Sequence, residues 1–211
     1  MFTLHVVDHP LVADHVRALR AASTPNADFL RLTAEVTRFL TYEAFRDAPT
    51  RPTTVDTPVT AGAPAIELER EYVIVPILRA GLGMSPAVQA VLPRHRLCLI
   101  GLRRDEATLE PDVYLDGLPT RLEGASVVVC DPMLATGGSL AAALDMLEGA
   151  GASEVTVLCL IAAAPGVAFV RMRHPDVRIV CAALDPELTS AGYITPGLGD
   201  AGDRLFGPPA R

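Results

Sequence analysis

A chain of 211 residues, half of them hydrophobic and a fifth charged, holds enough material for one globular domain with a substantial core, and its net charge of −7 gives no basis for a nucleic-acid surface. No apolar run reaches the roughly 18 residues needed to span a bilayer, and the opening MFTLHVVDHPLVADHVRALR lacks a basic segment followed by an apolar one, so no membrane partner and a cytoplasmic location are expected. All 18 basic residues are Arg, which excludes a Walker-type phosphate loop, a Schiff base and pyridoxal-phosphate chemistry, all of which need Lys.

In chain order, the first fifty residues read as helical. Leu11, Val12, Val16 and Leu19 have helical spacing, and so do Phe29, Leu32, Val36, Phe39 and Leu40, with Asn26 as the expected N-cap. Pro49–Leu68, rich in Thr, Pro and Val, reads as an irregular hairpin. From Tyr72 the pattern alternates. YVIVPIL, RLCLIGL, ASVVVCD, EVTVLCLIAA and VRIVCAAL are short apolar runs suited to buried strands. GLGMSPAVQAVLP, residues 136–150 and APGVAFVRMRHP are the helices between them, and RRDEATLEPDVYLDGLP is a polar excursion without a helical period. This order predicts an α/β fold: a doubly wound, mainly parallel central sheet with N-terminal helices and a small β hairpin. One domain is expected over 1–211, with a helical arm at about 1–48, the hairpin at about 49–70, the α/β core at about 71–184 and a long shaped C-terminal loop at about 185–211.

In such sheets ligands bind at the carboxyl ends of the strands, and three strand-end loops carry chemistry. Arg79 follows YVIVPIL and is flanked by Ala80, Gly81 and Gly83, residues small enough for a ligand to approach the backbone; its planar fork suits a polyanion. Arg103 and Arg104 stand on a charged segment able to bring a guanidinium to an anionic leaving group. The third loop, DPMLATGGS, places Asp131 at the end of an apolar strand and Thr136, Gly137, Gly138 and Ser139 at a helix start. Bare helical amides and two hydroxyls can take a phosphate there, and the acid can accept hydrogen bonds from sugar hydroxyls. The tail GYITPGLGDAGDR adds Asp200, Asp203 and many free backbone groups, able either to read a flat heterocycle or to wrap the fold. The four Cys lie in apolar β-like runs without metal spacing, and the five His form no HxH pair.

Together, VPILRAGLGM, RRDEATLEP, DPMLATGGS and GYITPGLGDAGDRLFG closely resemble the uracil phosphoribosyltransferase family, a branch of the type I phosphoribosyltransferases. HPLV and LTYEAFRD also look like that family, so the resemblance runs from about His9 to Gly207. It implies transfer of the 5-phosphoribosyl group from 5-phosphoribosyl 1-diphosphate (PRPP) to uracil, giving UMP and diphosphate with Mg²⁺ assisting. Carried over by position, it implies that Arg79, Arg104, Asp131, Pro132, Met133, Leu134, Ala135, Thr136, Gly137, Gly138, Ser139 and Asp200 bind PRPP. Ile194, Gly199, Asp200 and Ala201 would bind uracil, and Asp131, Arg104 and Asp200 would be catalytic. No direct protein ligand to the metal is implied, Mg²⁺ being held mainly by diphosphate, ribose and water. A homodimer or larger assembly is implied too, and GTP activation as in some relatives.

The chain departs from that pattern at two places. Cys130 precedes a single acid, Asp131, where many type I enzymes have two adjacent acids; this is typical of the uracil branch. Arg103 stands where members of the family usually carry Tyr, so either Arg of the pair can meet the diphosphate, with Arg104 the expected one. A competing reading on the same fold is a regulatory protein that senses PRPP or uridine nucleotides; a third is a transferase for another base.

Overall fold

The computed structural model describes residues 1–104 and 111–207, and of Arg104 and Pro111 the backbone alone. Among the described residues a nine-stranded sheet forms the centre. Its main path runs Thr3–Val6 (β1), Arg178–Asp185 (β11), Glu154–Ala163 (β10), Ser126–Cys130 (β8), Tyr72–Leu78 (β4), Ile100–Arg104 (β6) and Pro111–Asp116 (β7). His95–Leu97 (β5) pairs with β4, and Met133–Leu134 (β9) with β10. Every pairing is parallel except β6 with β7. From β4 the chain crosses to β5 and β6 on one side; from β8 it crosses to β10 and β11 on the other. The winding therefore reverses between β4 and β8, and a crevice opens at the carboxyl ends of these two strands.

Alternation along the central strands divides the core. Tyr72, Ile74, Val128, Cys130, Leu158 and Leu160 pack against Pro10–Arg20 (α1), Asn26–Ala44 (α2) and Ser85–Val91 (α3). Val73, Val75, Val127, Val129, Val157 and Cys159 face Gly138–Gly149 (α4) and Ala164–Arg173 (α5). Strands buried on both faces read as continuous Val/Ile/Leu runs, which is why YVIVPIL and SVVVC were recognisable. Thr50–Val55 (β2) and Ala63–Leu68 (β3) form the expected hairpin as a separate antiparallel pair.

Five local expectations are corrected. The segment before α1 is not helical: β1 pairs in parallel with Arg178–Cys181 at the sheet edge, where it buries little and so carries no strong periodicity. The N-cap of α2 is Pro25, not Asn26. The Asn26 amide instead donates to the Arg204 and Leu205 carbonyls, at 2.6 and 3.0 Å. RLCLIGL breaks into β5 and β6, with the Cys98 N–H donating to the Ile74 carbonyl between them at 2.9 Å. The polar excursion after Arg103 returns as β7, so its far half is strand; residues 105–110 lie outside the described residues. The C-terminal segment is also more regular than a loop. Glu187–Leu188 (β12) pairs with Ile194–Thr195 (β13), and Ala201–Phe206 (α6) is a short helix capped by Asp200, whose Oδ1 accepts from the Asp203 N–H at 2.9 Å.

Candidate active site

Asp131 leaves the end of β8 half-buried in the crevice. Burial pushes its carboxyl up to about 7, and a hydrogen bond from the Met133 N–H opposes that only in part. Among the described residues no Arg or His forms an ion pair with it. A carboxylate held at a strand end without a cation is a poor stabiliser of the fold and a ready acceptor for hydroxyl donors.

The loop after Asp131 is built from contiguous sequence. The Pro132 carbonyl accepts from the Leu160 and Ile161 N–H groups, and β9 pairs with β10, so the loop is fastened to the sheet. Leu134 is part of the core, which leaves only its backbone for a ligand. Gly137 then turns the chain into α4 with φ +87°, and a Cβ there would lie 2.9 Å from the Gly166 carbonyl oxygen. Both facts require glycine. No side chain caps α4, so its first amides, beside Thr136, Gly138 and exposed Ser139, remain available to an anion.

Arg79 lies across the crevice from this loop, after a cis Leu78–Arg79 peptide and before the 3₁₀ turn Ala80–Gly83. A Cβ on Gly81 would come 2.2 Å from the Cys130 carbonyl oxygen, so glycine lets this turn press onto the end of β8. The Arg79 guanidinium is half exposed and donates to Asp203 Oδ1 at 3.1 Å. Arg103 points elsewhere: it pairs with Asp112, its cross-strand neighbour on β7, at 2.8 Å. Arg104 ends β6, and its side chain lies outside the described residues.

The four residues expected at the base site, Ile194, Gly199, Asp200 and Ala201, line one pocket of about 200 Å³. Met133 and Ala135 of the Asp131 loop, Ala80 of the Arg79 turn, and Gly192, Tyr193 and Gly202 line it too. Two tail glycines, Gly197 and Gly199, have φ of +61° and +82°, and the Thr195–Pro196 peptide is cis. Among the described residues the amides of Gly199 and Ala201 meet no internal acceptor, so two donors stand free beside the pocket. Tyr193 was not singled out from the sequence. It sits inside a motif that was, and only the three-dimensional meeting of the loops gives it a place.

An anion cradle with an acid at one strand end, an Arg at the neighbouring strand end and a small backbone-lined pocket between them, at the reversal point of a parallel sheet, define a type I phosphoribosyltransferase. Comparison with known proteins narrows the class. The family model described as uracil phosphoribosyltransferase matches residues 6–208. A uracil phosphoribosyltransferase of Kineococcus radiotolerans is 48% identical over 207 residues, covering 97% of this chain and 98% of that protein. One of Bacillus cereus is 42% identical, covering 98% and 99%. The solved structure of the AQ2163 protein from Aquifex aeolicus superposes with a TM-score of 0.92 at 35% identity, covering 97% of this chain and 98% of that one. An adenine phosphoribosyl transferase of Trypanosoma brucei shares the fold at a TM-score of 0.55 and 16% identity, covering 94% and 88%. The chain belongs to the uracil phosphoribosyltransferase family.

Proposed function

We propose that the chain makes UMP by transferring the 5-phosphoribosyl group of PRPP to uracil, a glycosyl transfer of pyrimidine salvage, and that the three loops divide the labour. The observation that carries this division is the shared pocket: residues of the Asp131 loop, the Arg79 turn and the C-terminal segment line one small cavity. In this reading the amides at the start of α4, with Thr136 and Ser139, hold the ribose 5-phosphate. Asp131 accepts from the ribose hydroxyls. Arg79 and Arg104 take the diphosphate, Arg79 exchanging Asp203 for the substrate's oxygens. The free amides of Gly199 and Ala201, with the backbone of Ile194, read the uracil carbonyls.

The chemistry then needs little beyond placement. Loss of diphosphate from C1′ builds negative charge on the leaving group, which guanidinium donors stabilise. The base is held in line with the departing bond by the pocket, so positional entropy is spent at binding rather than at reaction. Asp200 borders the pocket, with one carboxylate oxygen engaged by the Asp203 amide; we assign it to the side of the base facing the donor. Mg²⁺ keeps several waters and is commonly bound by one or two carboxylates plus substrate phosphates. Asp131 and Asp200 supply carboxylate oxygens of that kind at the crevice, which fits an ion carried in with the substrate. When bound, such an ion neutralises diphosphate charge.

A direct assay of nucleotide formation from PRPP with uracil, cytosine, hypoxanthine and orotate, with and without Mg²⁺, tests the reading. Turnover with uracil alone, dependent on Mg²⁺, is expected; equal turnover with cytosine would sink the base assignment. An amino group at position 4 would set a donor against a donor, a penalty of about 1–3 kcal/mol. We also propose an assembly of at least two copies, supported by Val55, Val59 and Ile66 standing exposed on the hairpin. Light scattering with and without GTP measures both the assembly and any response to that nucleotide.

A further inference from the structure

The C-terminal segment lines the pocket largely through its backbone, so something must fix that backbone from behind. Two arginines that do not line the pocket do this. Asp185, the last residue of β11, is 4% exposed. Arg20, the last residue of α1, grips it with both nitrogens: Nη1 donates to Oδ2 at 2.7 Å and Nη2 to Oδ1 at 2.6 Å. The same two side chains hold Gly197 at both of its polar groups. The Gly197 N–H donates to Asp185 Oδ2 at 2.8 Å, and Arg20 Nη1 donates to the Gly197 carbonyl at 2.8 Å. One residue on, the Leu198 carbonyl accepts from Arg204 Nη1 at 2.9 Å. Arg204 is anchored in turn: Nη2 donates to the Ala21 carbonyl at 2.8 Å, and the guanidinium lies 4.1 Å from the centre of the Phe29 ring.

Burial alone would raise the Asp185 carboxyl, but the hydrogen bonds from Arg20 and Gly197 outweigh it and hold the group below the usual carboxylate range. A buried bidentate pair is costly to assemble and its net contribution to stability is small; its best-attested use is to fix one arrangement among several. Here the arrangement fixed is that of Gly197 and Leu198. Both polar groups of Gly197 and the Leu198 carbonyl are engaged, whereas the amides of Gly199 and Ala201, two residues that line the pocket, are not. A site that reads its ligand through backbone amides has no side-chain rotamers with which to correct an error, and a displacement of about 1 Å can cost about a hundredfold.

We propose that Arg20 and Asp185, seconded by Arg204, are positioning residues for the base: a latch from the N-terminal helix that sets the backbone on which uracil affinity depends. The proposal rests on the reading of this pocket as the uracil site. It makes the N-terminal arm part of acceptor selection although no residue of α1 lines the pocket.

The test compares Arg20→Met, Asp185→Asn and the conservative Arg20→Lys with the unaltered protein. It reads KM for uracil, KM for PRPP, kcat, calorimetric binding of PRPP with Mg²⁺, and amide exchange at Gly197, whose N–H Asp185 holds, against Ala141, whose N–H the Gly137 carbonyl holds. The expected result is a rise in uracil KM of about tenfold to a hundredfold for Arg20→Met and Asp185→Asn, PRPP binding within about twofold, and faster exchange at Gly197 with Ala141 unchanged. Arg20→Lys, which keeps a charge but loses the fork, is expected to restore part of the uracil KM. Uracil and PRPP constants rising in parallel, or an unchanged uracil KM, would overturn the proposal. If Arg20→Met and Asp185→Asn do not fold, Arg20→Lys decides by the same two criteria. If the unaltered protein binds PRPP but makes no UMP, the functional reading fails by itself. Amide exchange in Arg20→Lys then judges the latch: faster at Gly197 sustains it, unchanged removes it.

Discussion

The two halves we propose for the site are built in opposite ways. The donor half, Asp131 to Ser139, is one contiguous stretch running from β8 into α4, fastened to the neighbouring strand by its own backbone. The base half is a Gly-rich segment far along the chain, held in place by α1, α2 and the end of β11 through Arg20, Asn26, Asp185 and Arg204. A contiguous cradle depends on local backbone conformation, so it should fail when a single residue in it changes and leave the other half intact. A tethered loop should fail when its distant tethers are cut. Variants that respect or violate this division are the means of testing it.

The largest effect is expected from Asp131→Asn. It keeps the shape but replaces a charged acceptor of the ribose hydroxyls, and hydrogen bonds to charged groups contribute about 1.5–3 kcal/mol each. Steady-state assays should show kcat/KM for PRPP lower by about a hundredfold or more if two such bonds weaken. The melting temperature at pH 8 should hold or rise, because a half-buried, unpaired charge has been removed. A melting temperature that falls with the activity would move Asp131 from ligand binding to folding.

The pH profile comes next. The folded Asp131 carboxyl sits at about 7, above the unfolded value of about 3.9. Between those values the folded state binds the proton more tightly than the unfolded one, so this group's contribution to stability falls as pH rises through that window. Activity should run the other way, because the acceptor we propose for the hydroxyls is the carboxylate. With the unaltered protein kcat/KM for PRPP should climb towards about tenfold per pH unit below about pH 7 and level off above it. Asp131→Asn should lose this limb, leaving only the titration of the substrate's own phosphates. A limb that persists unchanged in the variant assigns it to the substrate.

Gly137→Ala tests the contiguity of the donor half. The left-handed backbone costs about 1–2 kcal/mol for a residue with a Cβ, and that Cβ would meet the Gly166 carbonyl oxygen at 2.9 Å. Urea unfolding should show a loss of at least that size, with KM for PRPP raised and KM for uracil near its original value. Equal rises in both constants would mean that the two halves are mechanically one.

The same division explains what could be read from the sequence. Parallel strands buried on both faces, and the turn from β8 into α4, are written in consecutive residues; Asp131, Gly137 and the doubly wound, mainly parallel sheet followed from them. Edge strand β1 was missed because it buries too little to impose a period. Helix α6 was missed because glycines and Asp200, its cap, read locally as loop. The tethers were missed for a different reason. Arg20 resembles any charged residue at a helix end, and its partner lies 165 residues away. One signal was available: Asp185 closes the apolar run VRIVCAAL as Asp131 closes SVVVC. An acid at the end of a buried strand needs a partner in either case. For Asp131 we assign that partner to the substrate, whereas for Asp185 it is Arg20.

The smallest effect is expected at Arg103, and a small effect there is informative. The resemblance to the family left two adjacent arginines as candidates for the diphosphate. In the structure Arg103 is largely exposed, its side chain 71% accessible, and paired with Asp112 across the β6–β7 ladder. Exposed pairs of this kind contribute about 0–1 kcal/mol, so Arg103→Ala should unfold at nearly the same urea concentration. If Arg104 alone meets the leaving group, kcat should fall by less than about threefold in Arg103→Ala and steeply in Arg104→Ala. Arg103→Tyr, the residue usual in the family, should behave like the alanine variant. A steep loss in Arg103→Ala would instead mean that the Asp112 pair opens when PRPP binds, and that β7 releases a second guanidinium to the donor half.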